Sequence, residues 1–454
     1  MRFLPRAAFA AALLAPAIAS AQIAPVAGDW YGTLDVGVKL PLVFHLQADG
    51  TASVDSPAQK AAGLKATATL AGDQLTVTLT TPAATYEGTV ASDRKSISGE
   101  WVQNGGRLPL RLERTPRAIV APKRPQTPKP PFPYRAEDVA YTNPASGLTL
   151  AGTLTLPPGE GPFPVALLIT GSGPQDRDET LFDHKPFLVL ADALTQRGVA
   201  VLRVDDRGVG GSQPGDFAKA TTLDFATDVA AGVAYLRGRK DIDPARVGLI
   251  GHSEGGIIAP LVAAKDPRLA FIVLMAGTGV PGDQVLPRQY HDIYVSSGAG
   301  EKAASQQAKL VETANAIVRA EPDEAKARPQ LLKLFSGGGN PQAAEGNAAL
   351  INSAWYRTFL TVDPAQALAQ VRAPVLAING AKDMQVSAAV NIPAIKAALA
   401  GNADATTLVL PDLNHLFQTA RTGAPGEYPN IEETIAPNAL ATIVDWTVAH
   451  TAKR

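Results

Sequence analysis

Residues 247–260, with the sequence VGLIGHSEGGIIAP, constrain the fold of this chain more than any other stretch. A short apolar run leads into Gly251-His252-Ser253-Glu254-Gly255, and a helix-like run follows. A serine in such a strand–turn–helix segment presents its hydroxyl at the tip of a sharp, strained turn. The glycines at 251 and 255 are expected where the strand and the helix approach too closely for a Cβ. We therefore predict that Ser253 is a nucleophile.

Length and charge limit the classes of protein that this chain can belong to. Its 454 residues predict two or three domains, and 46% hydrophobic with 18% charged residues is typical of a protein with a large core. The formal net charge of −1 gives no electrostatic reason to expect binding to nucleic acid or to an anionic membrane. The absence of cysteine excludes disulfides, thiol catalysis and cysteine-based metal sites.

The N-terminus has the three parts of a secretory signal peptide. Arg2 and Arg6 precede an apolar run over residues 7–18, and Ala19-Ser20-Ala21 follows it. The run is too short to span a bilayer, and no other stretch resembles a transmembrane segment. We expect residues 1–21 to be removed near Ala21 and the protein to be exported, either to the periplasm or into the medium.

Residues 26–115 are predicted to form a small all-β accessory domain. Leu75, Val77 and Leu79 alternate with threonines, and similar runs are separated by glycine turns, which is typical of a small barrel or sandwich. Residues 116–135 contain closely spaced prolines and basic residues, a composition that favours an extended, semi-rigid linker.

Residues 136–450 are predicted to form a doubly wound, mostly parallel α/β sheet. Apolar runs alternate with helical segments, and the later runs are continuous, as expected of strands that are buried on both faces. Eight strands are predicted, at residues 139–141, 148–154, 165–169, 199–204, 247–250, 271–275, 375–378 and 408–410.

The connection between residues 275 and 375 is far longer than a crossover requires. Apolar residues within it recur at helical spacing, so we predict a helical insertion over residues 279–363 that caps the carboxyl edge of the sheet. Trp355, Tyr356 and Phe359 near its end are candidates either for the wall of a substrate pocket or for the core of the cap.

A serine nucleophile requires a general base, and the order of a strand–turn–helix site is serine, then acid, then histidine. His415 lies directly after the last predicted strand and is the candidate base. Asp383 follows the penultimate strand and is the preferred acid, which would orient the imidazole. Asp412, three residues before His415, and Asp363, near the cap, are its rivals.

A developing oxyanion requires backbone N–H donors. One is expected from Glu254, the residue after the nucleophile. The other is expected from Ser172, in the Gly171-Ser172-Gly173-Pro174 loop that follows a predicted strand. The side chain of Glu254 is interpreted as a favourable anion at a helix N-terminus.

Four segments in order resemble the α/β-hydrolase superfamily and, more narrowly, the EstD-type bacterial carboxylesterases. They are LLITGSGPQDRDE at residues 167–179, VLRVDDRGVGGS at 201–212, GHSEGG at 251–256 and NGAKDMQV at 379–386. The resemblance implies hydrolysis of a small-molecule ester through an acyl-enzyme, with Ser253, Asp383 and His415 as the triad and with no metal or organic cofactor.

Three alternatives to ester hydrolysis stay open. The same triad could serve a peptidase or an acyltransferase, because a fold does not determine its function. A non-catalytic protein that binds a glycan or an envelope polymer through the β-domain is the third.

Overall fold

The computed structural model describes residues 23–35, 39–57, 61–81, 83–103, 106–116, 122–338 and 341–452. The predicted signal peptide lies outside these residues. The chain divides into two compact units, Met1–Val120 and Ala121–Arg454. None of the described helices is both long and apolar enough to cross a membrane.

The described strands of the first unit form a closed antiparallel barrel in which β8 pairs with β1. Alternate side chains point inward, as the sequence pattern predicts, and aromatic residues such as Trp30, Phe44 and Tyr86 fill the interior. The strands are β1 (Gly28–Asp35), β2 (Lys39–Leu46), β3 (Thr51–Ser56), β4 (Ala61–Ala71), β5 (Gln74–Thr80), β6 (Ala83–Val90), β7 (Ser96–Gln103) and β8 (Gly106–Glu113).

The second unit contains the predicted eight-stranded sheet. Its strands are β9 (Arg135–Thr142), β10 (Thr149–Leu156), β11 (Phe163–Ile169), β12 (Ala200–Val204), β13 (Ile242–His252), β14 (Ile272–Met275), β15 (Val375–Gly380) and β16 (Ala405–Leu410). Their order is β16-β15-β14-β13-β11-β12-β10-β9. The neighbouring strands from β16 to β12 in this order, with β11 among them, pair in parallel. Strand β10 pairs antiparallel with both of its neighbours, β12 and β9. The carboxyl ends of β11, β13, β15 and β16 therefore meet at one edge, where ligands bind in open α/β sheets.

Helices cover both faces of the sheet, which confirms the doubly wound α/β prediction. They are α1 (Pro186–Gln196), α2 (Thr222–Arg237), α3 (Gly255–Ala263), α10 (Ala388–Ala398) and α11 (Pro437–Thr451). Side chains of α2, α3 and α10 share one apolar core with the sheet, and those of α1 and α11 share the other. Alternate residues of β11 contribute to opposite cores, since successive side chains of a strand point to opposite faces.

The long connection between β14 and β15 is helical, as predicted. It consists of α4 (Gly282–Ser296), α5 (Glu301–Ala320), α6 (Glu324–Phe335), α7 (Pro341–Ile351), α8 (Ala354–Thr361) and α9 (Pro364–Leu368). These helices have an apolar core of their own, to which Val311, Val318, Tyr356 and Phe359 contribute. That core also includes Ile257 of α3, so the insertion packs onto the helix that follows the predicted nucleophile.

Only part of the predicted linker at residues 116–135 can separate domains, because its later residues pack against the second unit. From residue 122 onward it belongs to the second unit and lies against it. The guanidinium of Arg124 donates to the carbonyl oxygens of Phe182 (2.9 Å) and Pro429 (2.8 Å), and Gln126 bonds the backbone just before α11. The side-chain donors of Arg124 and Gln126 therefore bind carbonyl groups of the second unit.

Candidate active site

The predicted nucleophile lies on a strained turn between β13 and α3. Ser253 has a φ of 53°, a left-handed conformation that non-glycine residues adopt at a cost of roughly 1–3 kcal/mol. Its amide donates to the carbonyl of Met275 at 2.8 Å, which anchors the turn to the end of the neighbouring strand β14. The strand–turn–helix geometry predicted from the sequence is therefore present.

The two glycines that flank Ser253 are required by close backbone contacts. A Cβ at Gly251 would lie 2.0 Å from the carbonyl oxygen of Gly255, and a Cβ at Gly255 would lie 2.2 Å from that of Ile169. Both distances are far below van der Waals contact, so any larger residue would force the strand and the helix apart.

His415 and Asp383 meet at the carboxyl edge of the sheet. His415 follows β16, Asp383 follows β15, and the Nδ1 of His415 donates to Oδ2 of Asp383 at 2.8 Å. The other oxygen of Asp383 accepts from the amides of Gln385 and Val386, each at 2.8 Å. Both side chains are at least 95% buried. The carboxylate is thus fixed in orientation, and it directs the ring proton of His415 to Nδ1.

The two rival acids do not contact His415. Asp412 pairs with Lys382 at 2.8 Å, and 66% of its side chain is exposed. Asp363 caps the N-terminus of α9 by accepting from the amide of Ala365 at 3.0 Å. Of the three candidates, the structure brings only Asp383 to the imidazole. The catalytic roles of this aspartate and its histidine stay predictions.

Ser253 and His415 line one cavity of about 570 Å³, a volume typical of small-molecule sites. The cap supplies a largely apolar wall, which includes Val285, Leu286, Tyr290, Ile293, Trp355, Tyr356 and Phe359. The aromatic residues of α8 therefore have both predicted roles, since Tyr356 and Phe359 also belong to the core of the cap. Among the described residues that line this cavity, Glu179 and Glu254 are the two with carboxylates, and none is Lys or Arg.

The loop after β11 passes beside the predicted nucleophile. A Cβ added at Gly171 would lie 3.3 Å from the Cβ of Ser253, and Ser172 lines the same cavity. The amide of Gly171 donates to Oε1 of Glu179 at 2.7 Å, which holds the loop in place. Ser172 and Glu254 therefore both lie next to Ser253, whereas their roles as oxyanion donors stay predictions.

The side chain of Glu254 does more than place an anion at a helix N-terminus. Its carboxylate is buried and makes no capping hydrogen bond to α3. It accepts from Oγ1 of Thr222 (2.6 Å) and from Nε1 of Trp355 in the cap (2.9 Å). Burial raises the pKa of Glu254, against hydrogen bonds from Thr222, Trp355 and Ser172 that lower it. This carboxylate therefore joins the cap to the turn that carries Ser253.

A second carboxyl group, half-buried, contacts the same loop. Asp206, in the DDRG segment, accepts from Oγ1 of Thr170 and from the amide of Gln175, each at 2.9 Å. Burial raises the pKa of Asp206 to about 7 despite these hydrogen bonds, and the carboxylates of Glu179 and Glu254 raise it further. Asp206 and Glu179 thus both hold the loop after β11 in place by accepting hydrogen bonds from it.

The hydrogen bonds of His252 were not predicted from the sequence. His252, next to Ser253, places Nδ1 at 2.9 Å from Oε1 of Glu179 and Nε2 at 3.0 Å from the carbonyl oxygen of His415. The only sequence signal was the position of His252 beside the serine, which does not indicate either partner.

The sheet, the helical insertion and the strand–turn–helix serine together define an α/β hydrolase. The chain belongs to the X-Pro dipeptidyl-peptidase (S15) family, which matches residues 146–415. It is 29% identical to esterase EstD of Thermotoga maritima over 272 residues, which are 59% of this chain and 58% of that relative. The chain thus spans less than two thirds of the length of EstD. The predicted resemblance to EstD-type hydrolases is confirmed.

Solved structures with similarity to this chain include two further hydrolases. The α/β hydrolase GrgF from Penicillium is 16% identical, with a TM-score of 0.46 over 70% of this chain and the whole of GrgF. An esterase from Pyrococcus furiosus is 16% identical, with a TM-score of 0.41 over 65% of this chain and 91% of that one.

Proposed function

We propose that this protein is a serine carboxylesterase that hydrolyses neutral esters with small to medium apolar acyl groups. The observation that carries the proposal is the hydrogen bond from His415 to the buried Asp383, at a cavity that Ser253 also lines. A hydroxyl on a strained turn, a histidine with a fixed tautomer and a buried carboxylate are the parts of an activated serine nucleophile.

The reaction proceeds in two steps through an acyl-enzyme. His415 accepts the Ser253 proton at Nε2 while the serine oxygen attacks the ester carbonyl, and the amides of Ser172 and Glu254 stabilise the oxyanion. His415 then gives that proton to the departing alcohol as the acyl–oxygen bond breaks. A water molecule, deprotonated by His415, attacks the acyl-enzyme, releases the carboxylic acid and restores Ser253.

The cavity wall supports an apolar acyl group. Val285 and Ile293 of α4 and Phe359 of α8 present aliphatic and aromatic surface, and burying such surface contributes roughly 25 cal/mol per Å² to binding. An anionic acyl group would lose its hydration there, and none of the described lining residues is a Lys or Arg that could pair with it.

Peptidase activity is the second candidate, because the matching family is one of X-Pro dipeptidyl-peptidases. Such an enzyme must bind the terminal ammonium group of its substrate, for which a carboxylate is the natural partner. Both carboxylates that line the cavity are already engaged, Glu179 by Gly171 and His252 and Glu254 by Thr222 and Trp355. These contacts favour the ester substrate.

Hydrolysis of p-nitrophenyl butyrate and of alanyl-prolyl-p-nitroanilide by the full chain tests the choice. We expect the ester to be cleaved, the anilide to be a poor substrate, and Ser253→Ala to abolish ester cleavage. Preferential cleavage of the anilide would establish the peptidase instead. Equal ester hydrolysis by the wild type and by Ser253→Ala would refute both candidates, since the two share this nucleophile.

We also propose that the protein is exported, on the basis of the signal-peptide pattern at residues 1–21. Cell fractionation with N-terminal sequencing of the recovered protein tests this. A mature chain that begins near residue 22 outside the cytoplasm is expected, and an uncleaved chain in the cytoplasm would contradict it.

A further inference from the structure

His252 is buried between two hydrogen-bond acceptors. Its Nε2 faces the carbonyl oxygen of His415 at 3.0 Å, and a carbonyl group cannot donate, so Nε2 must hold a proton. Its Nδ1 faces Oε1 of Glu179 at 2.9 Å, and that oxygen already accepts from the amide of Gly171. Two acceptors at the two ring nitrogens require two ring protons, because a carboxyl group ordinarily gives up its proton at a lower pH than an imidazolium.

The surroundings of His252 favour the charged ring. Burial lowers the pKa of His252, but the carboxylates of Glu179 and Asp383 and the carbonyl of His415 outweigh it, so that the pKa lies above its ordinary value. Three titratable groups thus face the ring. They are Glu179 from the connection between β11 and α1, Asp383 from the loop after β15, and the imidazole of His415, whose ring centre is 4.8 Å away. The ring of Phe417 also packs near His252, with the ring centres 6.4 Å apart and the planes at 65°.

The same pair of side chains joins three separate segments of the site. Glu179 holds the loop after β11 through Gly171, whose backbone lies beside Ser253. His252 ends β13 and immediately precedes the nucleophile. Its second hydrogen bond reaches the loop after β16, at the residue that carries the candidate base. Glu179 has a φ of 52°, a conformation that the surrounding contacts must stabilise.

We propose that Glu179 and His252 form a permanent carboxylate–imidazolium pair that positions the loop after β11 and the loop after β16, which carries His415, relative to Ser253. The pair acts through its neighbours and does not exchange protons with the substrate, so both are positioning residues. The effect on catalysis rests on the proposed esterase function, whereas the charge state of His252 does not.

The variant Glu179→Gln separates charge from shape. Its Oε1 can still accept from Gly171 and from His252, but the imidazolium loses its counter-ion. A neutral His252 has one ring proton and can keep only one of its two hydrogen bonds. We expect kcat for p-nitrophenyl butyrate to fall about 10- to 100-fold with KM changed less than about threefold, because small displacements of catalytic groups cost rates of this order. Glu160→Gln, in an exposed loop, is the matched control and should retain full activity.

The charge state is measured directly in the inactive Ser253→Ala background by NMR of protein with ¹⁵N-labelled histidine. We expect two ring N–H signals for His252 between pH 6 and 8, assigned by their loss in His252→Gln, and one signal after Glu179→Gln. His184 is an internal reference for a neutral buried ring, because burial lowers its pKa and the hydroxyl of Thr434 can donate to its Nδ1.

Two results would overturn the proposal. A single ring N–H signal for His252 in the presence of Glu179 would show that the pair is not ionic. An unchanged kcat for Glu179→Gln would show that the pair does not position the site. If the wild type hydrolyses no ester, the proposed function fails, while the NMR measurement still decides whether the ion pair exists.

Discussion

Replacing Asp383 by asparagine is expected to reverse the tautomer of His415. Oδ1 of Asp383 accepts from two amides, those of Gln385 and Val386. An asparagine must place its carbonyl oxygen in that position, because its NH₂ group would otherwise face two donors. The NH₂ group then points to Nδ1 of His415, which can only accept.

The size of the effect follows from this geometry. With Nδ1 as the acceptor, the single proton of a neutral His415 moves to Nε2, and the ring cannot take the proton of Ser253. Loss of the correct tautomer in a serine triad lowers kcat by about 10,000-fold. This corresponds to about 5.5 kcal/mol of lost transition-state stabilisation. The fold should be retained, since the substitution preserves the shape of the side chain.

The assay is kcat/KM for p-nitrophenyl butyrate, with circular dichroism as the check on folding. Asp412→Asn is the matched control, because it removes an aspartate three residues from His415 that is exposed and paired with Lys382. We expect this control to retain most of the wild-type activity, since exposed ion pairs contribute roughly 0–1 kcal/mol. A large loss for Asp412→Asn together with an active Asp383→Asn would refute the assignment of the acid.

Three further changes test other parts of the site. Gly251→Ala should abolish activity and lower the yield of folded protein, because the new Cβ would lie 2.0 Å from a backbone oxygen; normal activity would contradict the close approach. Trp355→Phe keeps an aromatic ring but removes the indole N–H that donates to Glu254, so urea unfolding should show a loss of about 2 kcal/mol. Asp206→Asn should gain stability relative to the wild type as the pH rises. The pKa of Asp206 is about 7 in the folded protein and 3.8 ordinarily, so between these values the folded state holds a proton that the unfolded state has lost. The wild type therefore loses stability as the pH rises from about 4 to about 7, whereas the asparagine variant does not. Three pKa units correspond to about 4 kcal/mol, and about half of this is expected for a partly exposed residue. A difference that is independent of pH would show that this carboxyl group has an ordinary pKa.

The elements that the sequence predicts well are those with a strong local pattern. The continuous apolar runs over residues 165–169 and 375–378 are buried strands of the parallel sheet, and Ser253 lies on the expected turn. The meeting of Asp383 with His415 follows from strand order, because the loops after neighbouring parallel strands share one edge.

The contacts that the sequence does not predict are made by polar side chains distant in the chain. Glu254 satisfies the rule for an anion at a helix N-terminus, yet its partner Trp355 is 101 residues away. His252 and Glu179 are separated by 73 residues, and neither lies in a periodic pattern. Prolines in the linker indicate an extended backbone but not the carbonyl groups that bind Arg124. Such pairings depend on the placement of whole loops, which local propensity does not determine.

Covalent labelling with a fluorophosphonate tests the central proposal most directly. The reagent reacts with an activated serine hydroxyl and leaves a stable adduct, which mass spectrometry of the intact protein and of its peptides can locate. We expect one adduct per chain, on Ser253, with loss of ester hydrolysis in proportion to labelling and no adduct in Ser253→Ala. An adduct on another residue, or hydrolysis that persists in the fully labelled protein, would contradict the assignment of Ser253 as the nucleophile.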